Sequence, residues 1–337
     1  MGFGGVGVFN QTGGTNTLIQ PGSVNDDRDA GVLSICVNYG GTGTYNLSGG
    51  SLTAAGVVID AEVGLGYGDE FDGVGVLNVS GGSLNTGTLE VGRPQLLGSS
   101  QAIMTLTGGV VTASDLTVNG QLNDQAGSLT AASATIDLGS MTVDGAANCA
   151  TITLGYIGTL TVNGVLTSGN TVVVGLPPGF SPQGGTLDGA GNGSTTGFVA
   201  NVLLISGVIQ PGNSVSAIGT LTAQSLTASG GTIQSNFAAS SGVGRNSELI
   251  VQGTASFAGP ATFNVSAPTA AAFPVGTYAL LTSTGLNAGQ PLASGGVAPG
   301  FLPTFDLPAS AARNSWSIIS ASQTIFCWMF SRARQII

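Results

Sequence analysis

The chain has no histidine and no lysine, so its basic complement is six arginines, set against sixteen Asp and Glu. Nucleophilic triads that depend on imidazole are thereby excluded. The net charge is −10 and Arg28, Arg93, Arg245, Arg313, Arg332 and Arg334 are scattered. Phosphate neutralisation needs clustered Lys and Arg, which argues against nucleic acid and against anionic membrane surfaces as partners. Cysteine is scarce: Cys36, Cys149 and Cys327 are odd in number and far apart. That pattern fits neither a disulfide framework nor a closely spaced metal site, and the three read as small hydrophobes. Long hydrophobic runs are lacking as well. MGFGGVGVFN has neither a basic nor a sustained apolar region, so it does not read as a signal peptide. The apolar stretch of IISASQTIFCWMF is too short to span a bilayer, and direct membrane insertion is not expected. Phe9 already lies inside a repeat, where a complete solenoid is expected to carry a cap, so the chain reads as a fragment of a longer protein.

What the chain has is glycine, 57 of 337 residues, with 42% hydrophobic residues and much repetition. GTYNLSGGSLTA at 43–54 returns as GVLNVSGGSLNT at 75–86 and QAIMTLTGGVVT at 101–112, and more loosely at 7–18 and 120–131. Aligned on the Gly-Gly, the positions four and two residues earlier are Phe9/Gln11, Tyr45/Leu47, Leu77/Val79, Met104/Leu106 and Leu122/Asp124, followed three residues on by Asn16, Leu52, Leu84, Val111 and Leu129, and most of them are apolar. They alternate with Ser, Thr and Asn, the period of two of a strand with one buried face. The Gly-Gly breaks the strand at a corner, where a residue without Cβ can take positive φ. A third strand is predicted in each unit at 35–40, 57–64, 88–92, 115–120 and 134–139.

Three strands of about five residues with short corners make a unit of roughly 18 to 20 residues, which cannot bury its apolar face alone and must stack. The fold predicted is all-β: a right-handed parallel β-helix, or β-solenoid, with three short strands per rung. A dozen to fifteen rungs about 4.8 Å apart would form a rod roughly 60–70 Å long. Regular repeats are expected over 1–175, a Gly/Pro/Ser-rich loop or break over 176–197, a less regular solenoid over 198–310 and a frayed tail over 311–337. The longer intervals between early repeats imply insertions emerging near one corner, a row of loops along one edge. The column Asn10, Asn46, Asn78, Thr105 and Asn123 alternates with buried positions and is expected to form an outward amide ladder.

FNQTGGTNTL followed by GTGTYNLSGGSLTA resembles the short repeats of autotransporter passenger domains and of bacterial surface proteins bearing the PEP-CTERM sorting signal. IQPGNSVSAIGTLTAQSLTASGGTIQSNF, SELIVQGTASFAGPATFNVSA and FPVGTYALLTSTG resemble autotransporter-associated β-strand repeats. The resemblance covers most of 7–285 and implies a secreted or surface-displayed solenoid, extracellular or on the bacterial outer cell surface. Neither a translocator barrel nor a Pro-Glu-Pro signal is visible in the sequence.

For chemistry, Asp60 and Glu62 sit two apart on one strand face, and paired carboxylates serve polysaccharide hydrolases. Asp26, Asp27 and Asp29 beside Asn25, and Asp69, Glu70 and Asp72 in GYGDEFDG, offer hard oxygen ligands on Gly-rich loops that suit Ca²⁺. Their bland reading is as solubilising loops that keep rods apart. Outward Thr rows raise surface or ice binding, but their positions look too variable between rungs for a regular array. The function expected is a non-enzymatic stalk or adhesin-like passenger with no obligatory cofactor, whose partner is an extracellular polysaccharide or a host or cell-surface protein. The alternative is a carbohydrate-active β-helix using strand-face carboxylates.

Overall fold

A computed structural model describes residues 5–18, 31–36, 41–59, 73–92, 101–167, 169–176, 184–189, 197–212, 218–236, 246–259, 261–266, 277–287, 304–306, 314–321 and 324–331. Every regular element among them is a strand. The chain divides into two compact units, Met1–Leu160 with Val165–Asn170, and Thr161–Gly164 with Thr171–Ile337.

In the first unit each rung has three strands, for example Val74–Val79 followed by 83–86 and 88–91 within the continuous Ser83–Val91. The next rung repeats this with Gln101–Leu106 and Val110–Val118. Equivalent strands pair in parallel and residue for residue: Thr15 with Ser51, Ser51 with Ser83, Ser83 with Val110, Val110 with Ser128, and Ser128 with Ala146. Subtracting the numbers gives offsets of 36, 32, 27, 18 and 18 residues, the intervals of the sequence phrase. The chain is a parallel β-helix.

Pairing in register stacks like on like. Tyr45, Leu77, Met104, Leu122 and Met141 form one interior column, Leu52, Leu84, Val111, Leu129 and Ala147 a second, and Val57, Leu89, Leu116, Ala134 and Ile152 a third, all buried. Truncating one of the leucines to alanine costs about 2–5 kcal/mol, because a column clamped above and below relaxes little into the cavity.

The corners explain the Gly-Gly. Gly50 and Gly82 have φ of 76° and 71°. A Cβ at Gly82 would lie 2.5 Å from the Gly50 carbonyl oxygen of the rung beneath, so stacking as well as dihedral demands glycine. Where the pair degenerates to Ala126-Gly127, another device holds the corner: Asp124 Oδ1 accepts a hydrogen bond from the Gly127 N–H at 3.1 Å. In the first rung Gln11 stands where Leu47 follows; it accepts from the Tyr45 hydroxyl and donates to the Ser51 carbonyl at 2.9 Å.

One boundary differs from expectation. The first third strand is Val32–Ile35, paired from Val32 with Gly56 to Ile35 with Ile59, and not 35–40. Cys36 ends it by taking φ of 58° and donating its thiol to the Gly41 carbonyl.

In the second unit the interior column of the first strands is Leu187, Ile209, Ile233 and Phe263, again paired in parallel. The second and third strands merge in Gly197–Leu204, Thr220–Ala228 and Glu248–Phe257. Residues 176–197, read from the sequence as a loop or break, contain the strand Thr186–Gly189, which pairs with Val208–Pro211. Residues 311–337, read as a frayed tail, contain Asn314–Ala321 and Thr324–Ser331, an antiparallel pair whose second strand lies antiparallel to Thr277–Asn287. No described helix is long and apolar enough to cross a membrane.

Candidate functional site

Asp26, Asp27, Asp29, Asp69, Glu70 and Asp72, with Asp60 and Glu62, lie outside the described residues. Their points of departure are described. The first insertion leaves after Leu18 and rejoins at Gly31, between the second and third strands of a rung. The others leave after Ile59 and after Gly92, between a third strand and the next first strand. The insertions therefore start at two corners rather than one. A third strand of four residues, about 13 Å long, separates those corners.

The outward faces are polar and in register. Asn46 Nδ2 donates to Asn10 Oδ1 at 2.7 Å, and Asn78 Nδ2 to Asn46 Oδ1 at 2.8 Å, so the amide ladder expected from the repeat is present across three rungs. Thr105 and Asn123 continue the column. Thr117, Thr135 and Thr153 align on the third strands, and Thr112 with Thr130 on the second, so the threonines are more regular than the sequence suggests. On the same third-strand face Glu90 lies beside Thr117, while Asp115 pairs with Thr88 and accepts from the Ser133 hydroxyl at 2.6 Å. Those two carboxylates are diagonal neighbours on adjacent rungs, a juxtaposition that sequence spacing alone does not reveal.

Two other carboxylates are buried. Asp124 occupies the interior column of Leu47, Val79 and Leu106 with 0% exposure, and its Oδ2 has no hydrogen-bond partner. Burial pushes its pKa up to about 6; the Gly127 N–H opposes the rise and the Asp144 charge adds to it. Cys149 is buried too, its thiol pushed up to about 11 chiefly by desolvation, which makes it a poor nucleophile.

Asp188 differs in kind. It follows the interior Leu187, so by strand alternation it faces out of the solenoid, yet it is only 8% exposed. Its Oδ1 has no hydrogen-bond partner, and burial alone raises its pKa to about 7. Asp188 is paired with Gln210, and Gln234 with Asn264. Ile209 pairs with Ile233 just before Gln210 and Gln234, which joins the two halves into one column. Gln210 and Gln234 are each 7% exposed. Beside them Gln234 Nε2 donates to Asn236 Oδ1 at 3.0 Å, and Asn246 Nδ2 donates to the Ser247 carbonyl at 2.9 Å. The Ser235 hydroxyl also donates to that carbonyl, so residues 246–247 cover the end of the Thr232–Asn236 strand. The signal for this ladder was available as TLD, VIQ, TIQ, TFN and TFD at 186, 208, 232, 262 and 304.

No protein-family model matches the chain, and no curated protein is detectably similar to it.

Proposed function

We propose that the chain is a non-enzymatic, secreted or surface-displayed solenoid that acts as a structural stalk and as an adhesin-like passenger. The observation that carries this reading is how the repeat spends its residues. Interior columns are apolar, corners are glycine, and outward columns such as Asn10, Asn46 and Asn78 are small uncharged hydrogen-bonding groups in register. Such a face presents the same donors and acceptors once per rung, about every 4.8 Å, which suits multivalent contact with a repetitive extracellular polysaccharide or a cell-surface protein. The resemblance to passenger and PEP-CTERM-associated repeats points the same way for location.

The carbohydrate-active alternative rests on the diagonal Glu90 and Asp115. Incubating the purified chain with immobilised bacterial and host polysaccharides separates the two. Retention on at least one surface without release of reducing ends or unsaturated sugars is the expected result. Release of either product, lost in Glu90→Gln, would replace the proposal with the enzyme. Labelling of intact source cells with antibody to the folded chain tests display; signal only after lysis would overturn it.

A further inference from the structure

We propose that the outward ladder of the second unit binds a small hard divalent cation, of the Ca²⁺ class, at the Asp188 carboxylate and the Gln210 carboxamide, one rung apart. The argument begins with the side of the strand. Core packing explains why Leu187 and Ile209 are buried, but Asp188 and Gln210 point the other way and are buried nonetheless. Asp188 Oδ1 is left without a hydrogen-bond partner. An uncompensated carboxylate out of water costs several kcal/mol, and where no N–H or O–H donor reaches the oxygen a proton or a cation stabilises it.

The neighbours favour the cation. Paired side chains on successive rungs are about 4.8 Å apart at their backbones, close enough for a carboxylate and a carboxamide oxygen to share one ion. The same column carries oxygen-bearing residues in register on further rungs, Gln234 and Asn264. Carboxylate and amide oxygens are the donors that Ca²⁺ selects. The burial sets the size of the ligand: side chains only 7–8% exposed admit an ion and exclude a sugar. Asp124 provides the contrast. It lies inside the solenoid, in a column between Leu106 and Val143, where the neighbouring rungs offer no oxygen ligand, so a proton suffices there.

The test is thermal unfolding of the full chain at pH about 8, in EDTA and in about 10 mM CaCl₂. Calcium is expected to raise Tm by about 4 °C or more, a shift lost in Asp188→Asn and reduced in Gln210→Leu. The combined Asp26→Asn, Asp27→Asn and Asp29→Asn variant is expected to retain it. No shift in the parent chain, or an undiminished shift in Asp188→Asn, overturns the proposal; the second result assigns binding to the acidic loops. Calorimetric titration with CaCl₂ decides independently of whether the variants fold. Binding through Asp188 should weaken by about 100-fold between pH about 8 and pH about 5, because the proton competes for the same oxygen. Carboxylates of ordinary pKa would bind alike at both, and that result also overturns it.

Discussion

Among the described residues, burial shifts two aspartates far enough to shape the pH response. Asp124 and Asp188 hold their protons more tightly in the folded chain than in the unfolded one, with pKa raised to about 6 and about 7. Their contribution to stability is complete below the unfolded value near 4, and it is lost as the pH rises through 6 and 7. Denaturant unfolding in EDTA is expected to show greater stability at pH about 5 than at pH about 8. Asp124→Asn keeps an acceptor for the Gly127 N–H and should remove of the order of 1.5 kcal/mol from that difference, because at pH about 5 the unfolded carboxyl has already lost most of its proton. An unchanged pH slope in Asp124→Asn would show that its carboxyl is solvated. Sequence alignment already put Asp124 in an apolar column. Asp188 was hidden because its TLD unit sits in a Gly/Pro/Ser-rich stretch, where low complexity masks the single strand within it.

At the scale of the element, the corner is the vulnerable part. Gly82 combines positive φ with a backbone oxygen 2.5 Å from where a Cβ would sit, whereas a Cβ at Gly13 meets nothing within 4 Å. Gly82→Ala should cost about 2–4 kcal/mol, and Gly13→Ala less than about 0.5 kcal/mol. Equal Tm values for the two would mean that the corner relaxes freely. The Gly-Gly phrase is legible because sterics and stacking demand it at Gly50, Gly82 and Gly109. The third strand had no such punctuation: its first copy was set three residues late because nothing in the sequence marks where the insertion before Val32 ends. The sequence places the first insertion before a third strand and the other two after one, and only their assignment to a single corner fails, because that strand separates the two corners.

For the molecule as a whole, what matters is that the interior columns are indifferent to which rung supplies them. Val110 pairs with Ser128 eighteen residues on, and Ser83 pairs with Val110. Deleting 110–127 joins Gly109 to Ser128 and lays Ser128 directly on Ser83. That variant should fold and melt cooperatively, with a modest loss in Tm. Deleting 110–118 joins a corner to the wrong strand and is expected to leave the first unit unfolded by circular dichroism. If both deletions fold equally well, register is not what holds the rungs. A deletion or duplication of one full period, such as 110–127, leaves every remaining rung in register, whereas any other length change displaces a strand. The changes in length that this fold tolerates are therefore whole rungs.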